Sequence, residues 1–326
     1  MRCSVVGIGS VGPLHINALK EIGEEIVALC DKNPERCEWA KEKFGLDCLV
    51  YTDYIKMLDE VMPDSVHICL PHYLHVDYSC EALSRGINVL CEKPVAINEE
   101  GLIKLKAAVC ASTAKFGVCH QNRYNSSIKH IKELLADEKV FSASGTLVWE
   151  RTDSYYTDSD WRGRFATEGG GVMINQALHT LDLLQWFCGM PNKVTANVAN
   201  NTHKGIIEVE DTAYGVFKVG DESRFIINAT NCANHWYPIL FTFSTKNHEV
   251  TLSGDNIIVD GEFVTRSDGK PLYGKDAYGN GHITLIADFY DCLRSNRPFP
   301  LNVYEAEKVI KLILAMYRSN GEEVSI

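Results

Sequence analysis

Residues 3–12 read Cys-Ser-Val-Val-Gly-Ile-Gly-Ser-Val-Gly, a short apolar run that breaks into glycines. The run predicts a strand, and Gly7-Ile8-Gly9-Ser10-Val11-Gly12 predicts the turn that carries it into a helix. In that pattern Gly7 allows the tight turn, Gly9 lets the backbone approach a pyrophosphate, and Gly12 lets helix and strand pack closely. N–H groups at the helix start then face the phosphate charge. Glycines alone are weak evidence, since any turn uses them. Asp31 strengthens the reading, because it ends the next apolar run at the spacing expected of a carboxylate on the adenosine ribose hydroxyls. An acid there disfavours the 2′-phosphate of NADP, so NAD is the expected cofactor. Lys32 keeps NADP open, with an amine in reach of that phosphate if Asp31 turns away.

Outward from this loop, strand-like runs at 3–6, 26–30, 65–69, 88–91 and 117–119 alternate with helical patterns at 11–22, 34–44, 75–85 and 99–115. Asn33-Pro34 is a start signal for the second helix, with asparagine as cap and proline in the first turn. Such alternation implies a parallel sheet with helices on both faces, an α/β Rossmann dinucleotide-binding domain. Past residue 121 the pattern changes. A helix over 126–136 is followed by β-rich segments at 143–150, 194–200, 212–219, 224–230, 239–244 and 249–259, with Asp260-Gly261 as a tight hairpin turn. This predicts an α+β domain with a large, mostly antiparallel open sheet. It is interrupted by one apolar helix over 172–187 and closed by helices at 283–294 and 304–318. The expected domains are 1–121 and 122–326.

Composition narrows the function classes. The 326 residues are 45% hydrophobic and 23% charged, a globular profile, and 43 acids against 32 bases give a formal net charge of −11. That field repels phosphate backbones, so a nucleic-acid partner is not expected. No run approaches the roughly 20 apolar residues of a membrane-spanning helix. The start resembles no secretory leader and the end no lipidation signal, so a cytoplasmic protein without a membrane partner is expected. The twelve cysteines include no Cys-x-x-Cys pair. Cys3, Cys30, Cys69, Cys91 and Cys119 fall in apolar runs as small core residues, consistent with a reducing compartment. His67, His72 and His75 lie close in sequence without ligand geometry, so no metal is expected.

Two motifs carry chemistry. Glu92-Lys93-Pro94 follows a parallel strand, at the end where ligands bind in this architecture. Alone, Lys93 would read as a solvated surface lysine. Farther on, Gly169-Gly170-Gly171 precede Asn175, His179 and Asp182, which on one helix are related by i, i+4 and i+7 and share a polar face. His179 reads as a site residue and Asp182 as its structural hydrogen-bonding partner.

Together the glycine loop, Leu70-Pro71-His72 with His75, Glu92-Lys93-Pro94, Trp161-Arg162 and Gly-Gly-Gly…Asn175…His179…Asp182 resemble the Gfo/Idh/MocA oxidoreductase family along essentially the whole chain. These are relatives of glucose–fructose oxidoreductase and inositol dehydrogenase. The resemblance implies a Rossmann domain, a substrate-binding and oligomerisation domain, an active site between them, and homo-dimers or homo-tetramers formed through the open sheet face. It implies oxidation of a secondary alcohol of a sugar or cyclitol, or the reverse reduction. By the same carry-over Lys93 touches the nicotinamide ribose and the reacting hydroxyl, with Glu92 nearby. Leu70, Pro71, His72 and His75 line the cofactor, Trp161 and Arg162 border it, and Gln121 is a further cofactor candidate. Many relatives have aspartate where this chain has Asn175, and a glycine where it has Ala177. Asparagine takes no proton but can hydrogen-bond a substrate hydroxyl, so the base falls to His179, whose ordinary pKa near 6.5 suits the task. Two other readings stay open. One is an NAD-dependent redox-assisted glycosidase that makes no net NADH, and the other a non-catalytic dinucleotide sensor, which has no need of Lys93 and His179.

Overall fold

Six short strands with buried apolar side chains need helices on both faces, and the chain supplies them in alternation. They run β1 (Arg2–Val6), α1 (Gly12–Glu21), β2 (Glu25–Cys30), α2 (Pro34–Phe44), β3 (Leu49–Tyr51), α3 (Tyr54–Val61), β4 (Ser65–Ile68), α4 (His75–Ser84), β5 (Asn88–Cys91), α5 (Glu99–Ala111) and β6 (Phe116–Val118). The computed structural model describes residues 1–265, 279 and 281–326, which divide into two units. One holds Met1–Tyr124 with 281–306, and the other holds 125–265 with Glu307–Ile326. The sequence reading places all of 122–326 in the second.

In the first unit all strands are parallel, in the order β3-β2-β1-β4-β5-β6. The order reverses between β1 and β4, the switch point at which such sheets bind ligands. Helix α2 starts as expected, with the Asn33 side chain accepting from the Glu35 N–H and Pro34 in the first turn, and it stops at Gly45 in the left-handed region. β3 and α3 have no counterpart in the sequence reading. β3 is three residues long and only partly buried, a run too short to stand out as a strand. The cap of α3 at Asp53 and its buried Tyr54, Met57, Leu58 and Val61 are a legible helical pattern.

The second unit comprises α6 (Ser126–Leu134), β7 (Ser142–Val148), α7 (Asp153–Thr157), α8 (Val172–Asn175), α9 (Leu178–Cys188), β8 (Lys193–Ala199), β9 (Thr212–Val219), β10 (Ser223–Thr230), β11 (Leu240–Ser244), β12 (Glu249–Ser253), β13 (Asn256–Val259) and β14 (Glu262–Thr265). Helix α10 (Gly281–Arg294) returns to the first unit; α11 (Val303–Ser319) and β15 (Glu323–Ser325) follow. The sheet has nine strands, β14-β13-β12-β11-β7-β10-β9-β8-β15, antiparallel throughout except between β7 and β10. The single run expected over 249–259 is the hairpin β12–β13, and Asp260-Gly261, both at positive φ, turns β13 into β14.

One face of this sheet is covered by α9. Gly145 on β7 makes the approach possible, because a Cβ there would sit 2.6 Å from Thr180 Cγ2. Phe225 and Phe217 pair directly across β10 and β9 with rings 4.7 Å apart. Leu181, Leu183 and Leu184 are buried, each worth roughly 1.5–3 kcal/mol. On the other face Tyr214, Val216 and Ile226 are exposed.

The continuous helix expected over 172–187 is two helices. The Ala177 N–H reaches back five residues to the Val172 carbonyl, a wide turn that breaks the 3.6 period between α8 and α9. Asn175 and His179 therefore do not share a continuous helix face, whereas His179 and Asp182 both lie on α9. All twelve cysteines are free, with Cys69 partly rather than fully buried. No helix among the described residues is long and apolar enough to cross a membrane.

Candidate active site

At the switch point, Gly7 holds φ +88, and a Cβ there would lie 2.5 Å from the Cys69 carbonyl oxygen. A Cβ on Gly12 would lie 2.3 Å from the Gly7 carbonyl oxygen, whereas one on Gly9 would meet nothing within 4 Å. Gly7 and Gly12 are thus held by the protein's own packing. Gly9 and Ser10 are exposed with open space over Gly9, and Val11 is half-buried at the start of α1. That asymmetry fits a pyrophosphate laid against Gly9. Asp31 ends β2 with one carboxylate oxygen accepting from the Ile8 N–H at 2.7 Å and the other from the Asn33 N–H at 2.9 Å. The acid is tied to the loop it serves, with Lys32 exposed beside it and Arg36 3.8 Å away. After β6, the buried Gln121 Oε1 has no hydrogen-bond partner among the described residues, an acceptor a dinucleotide amide could answer.

Lys93 follows β5, with a cis peptide to Pro94. Its N–H donates to Glu92 Oε2 at 3.2 Å. The Glu92 side chain is buried and its Oε1 lies 2.9 Å from His15 Nε2 and 3.7 Å from His282 Nε2. Burial alone would raise this carboxyl, but the hydrogen bonds and charge of His15 and His282 hold it well below the ordinary range. The chain of contacts continues inward. His15 Nδ1 meets His67 Nδ1 at 2.8 Å, His67 Nε2 meets the Tyr290 hydroxyl at 3.0 Å, and that hydroxyl meets Ser65 Oγ at 2.7 Å. Burial pushes His67 well down, so its ring is neutral. His75 is buried with Nδ1 2.7 Å from the Pro94 carbonyl and Nε2 2.7 Å from the Leu70 carbonyl. It therefore braces the loops of Leu70-Pro71 and Lys93-Pro94 from behind, rather than offering a ring nitrogen to the cofactor. His72 is buried beside it.

His15, Glu92, Cys119 and His282 offer four metal-ligand atoms within 4.8 Å of one another, a group too dispersed in sequence to be seen there. Hydrogen bonding accounts for it. His15 already uses both ring nitrogens, and burial pushes the Cys119 thiol well up, away from the thiolate a metal needs. His203, Asp211 and Cys232 form a second such group. There Asp211 is spent on the N–H groups of Asn201, Thr202 and His203, and on the His203 ring.

In the second unit the glycine run is a packing device. A Cβ on Gly170 would strike the Tyr317 hydroxyl, and one on Gly171 the Glu210 carbonyl. Glu210 receives the N–H groups of Gly171 and Met173 at the start of α8, and the Tyr317 hydroxyl at 3.0 Å. Glu168 is buried just before the run. Its Oε2 accepts from the Gly163 N–H and its Oε1 from Asn175 Nδ2, both at 2.5 Å. Burial, with the nearby Glu210 charge, outweighs these bonds and Arg162, and pushes the carboxyl up to about 7. Asn175 Nδ2 also donates to the Tyr155 hydroxyl at 3.3 Å, as does Gln176 Nε2 at 3.2 Å. His179 and Asp182 are buried on α9. Arg162 lies over the Tyr155 ring, and Trp161 beside it accepts a bond from Thr167 on its carbonyl.

A model of the oxidoreductase family with an NAD-binding Rossmann fold matches residues 1–120, and the GFO/IDH/MocA C-terminal domain matches residues 128–257. The chain belongs to the Gfo/Idh/MocA family. As a member it is an oxidoreductase-family protein with an NAD-binding Rossmann domain. It is similar to a 2,7-anhydro-N-acetylneuraminate hydratase of Mediterraneibacter gnavus, 27% identical over 240 residues, covering 72% of this chain but only 62% of that protein. It is also similar to the D-glucoside 3-dehydrogenase of Escherichia coli, 23% identical over 98% of this chain and 95% of that one. Among solved structures, the WlbA dehydrogenase of Bordetella pertussis in complex with NADH and UDP-GlcNAcA superposes with a TM-score of 0.87. That match is 25% identical over 100% of this chain and 98% of that one.

Sequence reasoning missed Glu168, Tyr155, His15 and His282. Glu168 directly precedes the glycine run, and a charge at the start of that run was the available signal. His15 and His282 meet Glu92 only through the fold.

Proposed function

We propose that this Gfo/Idh/MocA protein transfers hydride between a secondary alcohol of a sugar, cyclitol or sugar derivative and NAD, with Lys93 and His179 acting on the reacting hydroxyl. The observation that carries the reading is Lys93 itself, a lysine at the carboxyl end of a parallel strand whose backbone N–H is pinned by the buried Glu92 carboxylate. When bound, NAD supplies the hydride acceptor. Gly7, Ile8, Gly9, Ser10, Val11 and Gly12 would cradle its pyrophosphate and Asp31 its adenosine ribose. Leu70, Pro71, His72, Glu92 and Gln121 would flank the remainder. The ammonium of Lys93 stabilises the alkoxide that develops as His179 takes the hydroxyl proton. Asn175 hydrogen-bonds a neighbouring substrate hydroxyl. Relatives named for an anhydro-N-acetylneuraminate and a D-glucoside support a sugar-derived substrate. The exposed sheet face bearing Tyr214, Val216 and Ile226 would pair copies of the chain.

One observation favours a second reading, oxidation that is reversed within the same turnover. A relative in this redox family is named as a hydratase. The test is NADH absorbance with purified protein, NAD and pooled sugars, polyols and sugar acids, run beside Lys93→Ala and His179→Ala. NADH formation that both variants lose supports net dehydrogenation. Substrate consumed without NADH supports the second reading. Undiminished turnover in both variants contradicts the assigned roles.

A further inference from the structure

Among the described arginines, Arg36, Arg85, Arg123, Arg294 and Arg297 each have a carboxylate within 4.0 Å. Arg151 and Arg162 have none among the described residues. Arg151 sends Nη1 to the Glu150 carbonyl at 2.8 Å, and Arg162 sends Nη1 to the Tyr155 carbonyl at 3.4 Å. The buried Nε of each has no hydrogen-bond partner among the described residues. What holds them is stacking. Both guanidiniums lie over the Tyr155 ring, their Cζ atoms 4.7 and 4.2 Å from its centroid. Arg151 also lies 4.5 Å from the ring centre of Trp236, which stacks on Trp149.

A guanidinium fixed by its faces keeps its in-plane donors for a planar or tetrahedral anion. Two such cations sharing one ring repel each other, and an anion bound to both relieves that repulsion. Glu168 feels the Arg162 charge, but it lies beyond ion-pair distance of Arg162, and its carboxyl stays raised to about 7 in spite of that charge. The place of the pair in the site is set by Tyr155, whose hydroxyl receives Asn175 Nδ2.

We infer that Arg151 and Arg162 bind an anionic group on the substrate, a carboxylate or a phosphate, so that the substrate is an acidic sugar derivative rather than a neutral sugar or polyol. The inference rests on the reading of Asn175 as a substrate-binding residue, and it moves Arg162 from the cofactor to the substrate.

The test is calorimetric titration of the NADH-saturated protein with matched pairs. D-glucuronate, D-galacturonate and N-acetylneuraminate are each set against their methyl esters, and D-glucose 6-phosphate against D-glucose. The proposal expects at least one anion to bind about tenfold or more tighter than its neutral partner, the strength of a charge-assisted bond, with the winning pair naming carboxylate or phosphate. That preference falls toward one in Arg151→Gln and Arg162→Gln, and is partly restored by lysine at either position. Should the glutamine variants fail to fold by thermal melting, the wild-type pairs and the lysine variants decide. No discrimination in any wild-type pair, or preference for the neutral partners, overturns it. Because binding is read without turnover, the two readings separate. An anion preference in a protein that never reduces NAD sinks the hydride assignment alone, and NAD reduction by neutral sugars only, with no anion preference, sinks this inference alone.

Discussion

Glu92 and Glu168 are both buried carboxyls next to a residue assigned to the reaction, one in each unit, and their surroundings push them in opposite directions. Glu92 has imidazoles from α1 and α10 beside Oε1 and the Lys93 N–H on Oε2, and is an anion held in place. Glu168 has an amide, a backbone N–H and a second carboxyl, Glu210, nearby, so it is poised between its two forms near neutrality. The first unit therefore offers a fixed charge under Lys93, while the second offers a group that changes charge beneath Asn175. The difference teaches that burial sets the cost of a carboxylate and the partners decide whether it is met.

The largest effect expected is on catalysis. Lys93→Ala and His179→Ala should each lower kcat about 10²–10⁴-fold, while NADH binding measured by fluorescence stays within a few-fold. If only one of them loses activity, the two units do not share the reaction as assigned.

The next effect separates the two carboxyls by the sign of their pH dependence. Glu168 is raised from 4.5 to about 7 in the folded protein, so its stabilising proton is fully present below pH 4.5 and is lost as pH rises through 7. That one group removes roughly 3 kcal/mol across the window. Glu92 is lowered, so its contribution is present above its ordinary 4.5 and is lost as pH falls below it. Hydrogen exchange at pH 5.5 and 8 should show Met173 and its neighbours less protected at the higher pH in wild type, and that difference reduced in Glu168→Gln. Glu210, Arg162, Tyr155 and Tyr317 face the same pocket and stay unchanged in that variant. An identical pH response in wild type and variant would remove the contrast.

A smaller effect sharpens the glycine loop. Gly9→Ala leaves the protein's own packing intact and should weaken NAD binding about tenfold, whereas Gly12→Ala drives a Cβ into the Gly7 carbonyl and should lower the melting temperature as well. Equal melting shifts in the two would contradict the division of labour. Smallest of all, Asp53→Ala removes the cap of α3, which accepts from the Lys56 N–H at 3.1 Å, and should cost about 1 kcal/mol in urea unfolding without changing KM.

The same contrast governs what the sequence reveals. The first unit is nearly legible, because its candidate site residues lie at strand ends that apolar runs announce: Gly7–Gly12 after β1, Asp31 after β2 and Lys93 after β5. β3 escaped because a three-residue, half-exposed edge strand leaves no periodicity. In the second unit the sheet was visible through alternation, but the break between α8 and α9 was not, since a single five-residue backbone bond at Ala177 leaves no compositional mark. Glu168, Tyr155 and Asn175 meet through side chains from a loop and the short helices α7 and α8, and His15 and His282 reach Glu92 from helices far apart in the chain. Local pattern carries no information about such encounters.

The most direct test of the central claim is deuterium transfer to the nicotinamide. The protein with NAD is incubated with a pool of sugars and sugar acids deuterated at their carbinol carbons, and the cofactor is then released and weighed by mass spectrometry. The account predicts one deuterium on the nicotinamide of the NADH that accumulates with wild type, and no labelled NADH with Lys93→Ala or His179→Ala. NADH that accumulates without deuterium, or full transfer in both variants, would contradict it.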